Sequence, residues 1–391
     1  MLFQNVSGSR FDVVIVGDSI AALAAEAMLS VHAPNALVTR LPPAEPTAAT
    51  DMTVLVWPSA ARLLDKLATK ETPAPTLEEL TRTSYETAGG ESIGELDFSN
   101  TKAALGSTME ISRFLVDVTR PKAGHPGGPW HATTTTMDDR DSIILQDGPH
   151  AAPTRTIRTR LLVGATGTKG LIRERFTRGK STAGHAGNFH AFDIKLQTMH
   201  ASGLPVGAMH VALAPGIRAV FLRRSAESVC FWLHAKGHPQ PEHRVEWVRN
   251  LLADFSPLVR DLVLQHDLTY LFSAPSEWAT WDVPQAMNRI VLVGDEGHAM
   301  PPDLGLGVTL ALEDAYVLAD EVRKSVHQAP VRFTERRSAR VDLGRDISVM
   351  ASRALSSCDP TFHRFAVESL AASLRAFGAD AIDAMANADC G

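Results

Sequence analysis

Residues 289–315 read RIVLVGDEGHAMPPDLGLGVTLALEDA, and this stretch decides how the rest of the chain is read. Ile290 to Val293 is a short apolar run stopped by Gly294, the pattern of a buried strand. Asp295 follows at the strand's end, where a carboxylate can accept hydrogen bonds from a polyol. Pro301 and Pro302 break regular structure. Gly305 and Gly307 leave the backbone bare enough for a flat ligand to come close, and a helix from Val308 onward would turn its free N–H groups and positive dipole end toward that ligand. Such an end favours negative charge. A plain strand-loop-helix crossover needs only one or two of these punctuating residues, and here five types fall in register.

Working outward, Asp12 to Val16 is an apolar strand and Ala21 to Leu29 a run of strong helix formers, which together make the strand-turn-helix of a dinucleotide fold. Between them the Gly-x-Gly-x-x-Gly fingerprint reads Gly17-Asp18-Ser19-Ile20-Ala21-Ala22, and only Gly17 is kept. Ser19 adds a Cβ where a pyrophosphate would approach, Ala22 is a mild change, and Asp18 sets a like charge beside the phosphates. The next strand, Ala36 to Arg40, should end in an acid that holds a ribose; Thr39 stands in its place.

The 289–315 stretch resembles the C-terminal flavin-binding motif of the single-component aromatic hydroxylases, the para-hydroxybenzoate hydroxylase type of flavoprotein monooxygenase. The resemblance implies an α/β (α+β) fold, with a Rossmann-type βαβ unit, an inserted antiparallel-sheet substrate domain and C-terminal helices. It implies FAD, held at the ribityl chain by Asp295 and at the ring by Pro302, Gly305, Gly307, Val308 and Thr309, with Gly17 and Arg113 on the ADP half. NADPH or NADH would be the reductant, without a separate nicotinamide domain. A further motif of the family, Gly-Ala-Asp-Gly, is present as Gly164-Ala165-Thr166-Gly167, its acid replaced by threonine. His298 lies within the flavin motif, where the family uses it to shape the turn.

The order of elements follows the family over nearly the whole length. It divides the chain into a first part of the FAD-binding domain (1–180), a substrate-binding antiparallel sheet (181–275), a second part of the FAD-binding domain (276–330) and C-terminal helices (331–391). Residues 1–10 form a polar arm, and the prolines from Pro42 to Pro46 break regular structure. Met52 to Leu67 is a strand and helix joined at Trp57-Pro58, with Leu63, Leu64 and Leu67 as the helix's apolar face. Thr108 to Thr119 is a helix, Gly124 to Met137 a loop, and Ser142 to Gln146 a strand. Met209 to Leu213, Ile217 to Leu222 and Val229 to Leu233 are strand-like runs that suggest a sheet over the substrate. Helices follow around His243 to Phe255 and Leu258 to His266, and Phe333 to Ala354 is rich in arginine and helix formers.

Composition sets the class. Hydrophobic residues make up 45% and charged residues 21%, the balance of a globular protein. The formal net charge is −6 with no basic stripe, which argues against a nucleic-acid partner. Three scattered cysteines, Cys230, Cys358 and Cys390, fit a reducing cytoplasm rather than a disulfide framework. No signal-peptide pattern or apolar run long enough to span a bilayer is present, so neither secretion nor a membrane is expected. A small-molecule substrate is the expected partner, with a homodimer possible.

Alternation on Ser228 to His234 puts Cys230, Trp232 and His234 on one face and Val229, Phe231 and Leu233 on the other. One of these faces should look toward the flavin, and the sequence leaves open which. The spacings of His185, His190, His200 and His210 match no compact ligand set, so no metal is expected.

Two functions remain open at this stage. The first is a flavin-dependent monooxygenase acting on a small aromatic or polyketide-like molecule. The second keeps the hydroxylase fold without redox chemistry: Ser19, Thr39 and Thr166 alter three contacts of the ADP half, each worth on the order of 1–3 kcal/mol. FAD would then bind weakly or not at all. The vacated pocket would template a cyclisation, isomerisation or pericyclic step, or merely bind a ligand.

Overall fold

In the computed structural model of the chain, residues 9–42, 51–119, 132–137, 143–147, 155–177, 182–196, 203–236, 243–280 and 286–386 are described. The polar arm up to residue 8, the proline-rich break beyond Pro42, most of the loop from Gly124, and His200 lie outside them.

β1 (Ser9–Val16) enters α1 (Ile20–His32) through a turn at Gly17. Ser19 caps the helix: its hydroxyl accepts the Ala22 N–H at 3.3 Å and donates to the Ala165 carbonyl at 2.8 Å. β2 (Val38–Leu41) returns parallel to β1. β3 (Thr53–Val56) leads into α2 (Pro58–Leu67), which has proline at its first position and buries Leu63, Leu64 and Leu67. β4 (Glu78–Glu79) precedes the hairpin of β5 (Arg82–Thr87) and β6 (Ser92–Asp97), and β7 (Ala104–Ser107) then runs into α3 (Thr108–Thr119).

β8 (Ala132–Met137) and β9 (Ile143–Asp147) form a second hairpin before β10 (Arg155–Gly164) and α4 (Leu171–Thr177). Ala132 to Met137, expected as the end of a loop, instead form a strand, because the run of β-branched threonines favours extended backbone and Thr134–Thr136 pair with β9. β11 (Thr182–Lys195), β12 (Ala208–Ala214), β13 (Ile217–Arg223) and β14 (Ser228–Ala235) follow. After α5 (Arg244–Leu251), α6 (Pro257–Leu264) and β15 (Asp267–Thr280), the chain reaches β16 (Ala286–Met287) and β17 (Ile290–Leu292). The one-turn α7 (Asp295–His298), α8 (Leu306–Lys324), α9 (Ala329–Leu355) and α10 (Pro360–Ala386) complete it.

Three sheets result among the described residues. The first has the order β16-β17-β10-β1-β2, and β2, β1, β10 and β17 are mutually parallel. β10 is long enough to share one edge between β17 at its C-terminal end and the antiparallel β9 at its start. Both faces of this sheet are covered, which is why its strands read as continuous apolar runs. Val13, Ile15, Leu161, Val163 and Val291 pack against α1 and α8, while Val14, Leu41 and Leu162 face the opposite side with Ile172 of α4.

The second sheet has the order β15-β11-β14-β13-β12-β5-β6, and all its pairs are antiparallel except β12 with β5. This sheet is not confined to residues 181–275. It takes β5 and β6 from the first third of the chain and continues through residue 280. One face is a core closed by α5 and α6, with Phe221 and Phe231 stacked at 4.6 Å between ring centres. A small sheet, β3-β7-β4, stands between the two.

Candidate functional site: adjoining ligand and substrate cavities

The turns that leave β1, β10 and β17 meet at the carboxyl ends of the parallel strands, where open α/β sheets bind ligands. Ser19, Gly167 and Asp295 from these turns, with Pro302, Gly307 and Val308, wall a cavity of about 320 Å³. Asp295 opens its carboxylate to this cavity and is ringed by protein on its other sides. Burial raises its pKa, against the pull of the nearby His298.

The cavity's shape fits a flat anionic cofactor. A Cβ added at Gly307 would project into open space, its nearest neighbour being Asp295 Oδ1 at 3.9 Å, and one added at Gly167 would meet nothing within 4 Å. Gly305, at φ +60°, caps α8 without any side-chain bond to its N–H groups. A Cβ there would also lie 2.6 Å from Leu55 Cβ. α8 starts at Leu306, two residues earlier than the sequence suggests, so Gly307 and Val308 sit in its first turn with N–H groups available to a ligand.

The structure brings Asp295, Pro302, Gly305, Gly307 and Val308 together on this wall. Thr309 turns inward, is fully buried, and accepts the Trp57 N–H on its hydroxyl at 3.1 Å. Gly17 lies buried behind the wall at φ +144°, where a Cβ would come within 2.2 Å of the Ala165 carbonyl. It serves close packing of the β1 turn on β10. Arg113 is exposed on α3, whose first residue, Thr108, is the one that reaches the cavity.

A buried ionic lattice fixes the turn behind Asp295. Asp314 accepts the Gly294 N–H at 3.0 Å and bonds His298 Nε2 at 2.5 Å, while its other oxygen accepts Arg337 Nε at 2.8 Å. Arg337 also donates to Glu313 at 2.9 Å, and Glu313 takes the Ser59 hydroxyl at 2.7 Å. His298 thus joins α7 to α8, and Arg337 joins both to α9.

A second cavity, of about 170 Å³, lies between the middle sheet and the Pro302–Leu304 turn, with Leu355 and Leu370 of the C-terminal helices on its far side. The sheet's cross-strand rows build one wall: Tyr85, Val211, Val220 and Trp232 in one row, and Arg218 beside His234 in the next. The Cys230, Trp232 and His234 face therefore looks toward the cavities, with Val229, Phe231 and Leu233 in the core behind. Trp232 and His234 line the cavity. Cys230 is packed beneath them, and burial raises its thiol to about 11.

Two further residues give this cavity its polarity. Arg218 and Asp303 form a buried ion pair across it. Burial lowers Arg218 to about 10, still protonated at neutral pH, and raises the Tyr85 phenol to about 12. Neither Arg218 nor Asp303 was among the residues singled out from the sequence. An isolated arginine inside the apolar run of β13, and an acid between Pro302 and Gly305, were the available signals. Among the described histidines, His190 is buried in the core of the middle sheet, and His210 bonds Ser84 through Nδ1 at 2.8 Å with its Nε2 3.1 Å from the Glu86 carboxylate. Among the described residues no helix is long and apolar enough to cross a membrane.

Comparison with known proteins agrees with this geometry. The family described as "FAD binding domain" matches residues 10–333. Kynurenine 3-monooxygenase of Salinispora tropica is 30% identical over 234 residues, 55% of this chain and 50% of that protein. A salicylate hydroxylase of Pseudomonas putida is 27% identical over 191 residues, 41% of this chain and 43% of that protein. The chain thus spans half or less of the length of these curated relatives. Among solved structures, HpxO of Klebsiella pneumoniae complexed with FAD and uric acid superposes with a TM-score of 0.77 at 17% identity, over 97% of this chain and 96% of that one. The fold is that of the para-hydroxybenzoate hydroxylase type. The chain accordingly belongs to the FAD binding domain family of the FAD-dependent aromatic hydroxylases.

Proposed function

We propose that this protein is an FAD-dependent monooxygenase that hydroxylates a small, flat aromatic or polyketide-like molecule in the 170 Å³ cavity. The observation that carries this reading is that the two cavities share walls: Leu55, Phe189, Trp232, Pro302 and Gly305 line both. A molecule in the smaller cavity therefore lies against the edge of the larger one.

The flavin would supply the redox and oxygen chemistry, with NADPH or NADH as reductant. The chain's own residues position and shield. Asp295 would hold the polyol chain, the first turn of α8 would favour negative charge on the ring, and Pro302 and Gly305 would shape its edge. Leu55, Phe98, Val220 and Leu222 keep water from the reacting face. Asp303 Oδ2 is buried and has no hydrogen-bond partner among the described residues, so it can accept from a hydroxyl or N–H of the substrate.

The non-redox reading rested on losses at Ser19, Thr39 and Thr166. Ser19 is engaged as a helix cap and Thr39 is buried within the sheet, so neither vacates the pocket. A reducing cytoplasm remains part of the proposal, supported by Cys230 and Cys358 both being free thiols. So does a homodimer, for which Leu343 and Met350 of α9 and Phe362 and Phe365 of α10 offer exposed apolar surface, and which sedimentation would detect as twice the monomer mass.

Purified protein titrated with FAD should bind it and release it on denaturation, and aromatic candidates should stimulate nicotinamide oxidation. Asp295→Ala should weaken flavin binding by about tenfold or more. Absence of flavin binding by the wild type would overturn the proposal.

A further inference from the structure

The family's Gly-Ala-Asp-Gly motif has threonine for its acid at Thr166, and a carboxylate from another turn reaches that threonine. It belongs to Glu296, which follows Asp295 and is fully buried. Glu296 Oε2 accepts the Thr166 N–H at 2.6 Å and the Thr166 hydroxyl at 2.9 Å. Its Oε1 accepts the N–H groups of Ile172 at 2.8 Å and Arg173 at 3.1 Å, in the first turn of α4. The Thr166 hydroxyl in turn accepts the Leu171 N–H at 2.9 Å. Arg173 closes the arrangement, donating to the Glu296 carbonyl at 2.9 Å and the Thr168 carbonyl at 3.0 Å.

The surroundings are built for this side chain. A Cβ at Gly164 would come within 3.0 Å of the Glu296 carboxylate, so the glycine leaves room for it. The turn that Glu296 holds carries Gly167, which walls the flavin cavity.

We infer that Glu296 has taken over, from the facing turn, the carboxylate work lost at position 166, and so acts as a positioning residue for the Gly164–Gly167 wall of the flavin site. The inference rests on the FAD reading for its functional meaning, though the exchange of acids stands on geometry. It carries an unexpected sign. Restoring the family's aspartate at 166 would not repair the site but would set two carboxylates against each other in a buried place. With Glu296 removed, the same aspartate could accept the Leu171 N–H that Thr166 now accepts, and those near it.

The test is a cycle of the wild type, Glu296→Ala, Thr166→Asp and the double variant, with Glu296→Gln as the conservative change. Each is followed by melting temperature without flavin and by FAD titration. Either single substitution should lower the melting temperature and weaken FAD by about tenfold. The double variant should melt above both and bind FAD within a few-fold of the wild type. Glu296→Gln should fall between the wild type and Glu296→Ala, because one acceptor oxygen remains. Simple addition of the two losses, or a Thr166→Asp protein indistinguishable from the wild type, overturns the inference. If Glu296→Ala gives no soluble protein, recovery of soluble protein in the double variant supports the exchange and failure to recover refutes it. If no protein of the set binds FAD, the flavin reading falls while the melting cycle still decides the role of Glu296.

Discussion

At position 307 the absence of a side chain has a visible use. The backbone there is ordinary helix and the space beyond is open, so nothing in the fold requires glycine. Only a ligand would. Gly307→Val should leave the melting temperature of the flavin-free protein within a degree or two, and should weaken FAD by about tenfold or more through overlap with the ring. Equal FAD affinity in the two proteins would remove Gly307 from the site. Where a motif fixes both type and spacing, the residues it singles out come together: Asp295, Gly305 and Gly307 line one cavity. Residue-level reading of the sequence failed where the facing of a side chain decides the matter. Thr39 stands where a ribose-binding acid was expected, but it turns into the sheet beside Leu41 and is fully buried. Its neighbour Arg40 turns outward instead, bonding Glu26 at 2.6 Å and reaching toward the Gly17 carbonyl. A strand's two faces differ by one residue, so motif spacing alone could not tell them apart.

Among the elements, α9 does more than close the fold. Its Arg337 is fully buried and satisfies carboxylates of both Glu313 and Asp314 on α8. Burial raises the pKa of Asp314, but the charges of His298 and Arg337 and the bonds from His298 and Gly294 outweigh it, so the group lies below the usual carboxylate range. Its contribution to stability is present above the unfolded carboxylate value and is lost as pH falls through its lower folded value. Arg337→Met would keep the side-chain volume while taking one cation from each of two buried acids, leaving Glu313 with Arg340 and Asp314 with His298, at a cost on the order of 3–5 kcal/mol. Denaturant titration at neutral pH should show it, and a loss under about 1 kcal/mol would mean that water replaces the guanidinium. The helix itself was legible from its arginines and helix formers. The pairing was not, since Asp314 and Arg337 are ordinary residues until packing removes water from both.

For the molecule as a whole, the order of elements was readable almost throughout, because apolar runs and glycine turns mark the strands independently of their partners. Sheet membership was not, and β5 and β6 joined the middle sheet from within a segment that sequence order assigns elsewhere. In the core of that sheet His190 packs against Trp247, 5.3 Å between ring centres, and beside Phe192 and Tyr270. Burial first, and the charge of Arg244 second, lower its pKa to about 4. The unfolded chain therefore takes up this proton before the folded one does, and stability is full above about pH 6.5 and declines as pH falls toward 4. His190→Phe should lose less melting temperature than the wild type between pH 7 and pH 4.5; an equal loss would show that the imidazole is protonated within the fold. The interleaving of the two large sheets also governs how the chain acquires its shape. Val13 must find Leu161 and Tyr85 must find Val211, so β1 and β5 emerge during synthesis well before their parallel partners β10 and β12 exist. Neither sheet can close on a contiguous N-terminal fragment. Such high contact order slows folding and leaves the apolar edge of β1 exposed meanwhile, which makes the nascent first third of this protein a client for chaperones rather than an autonomous folding unit.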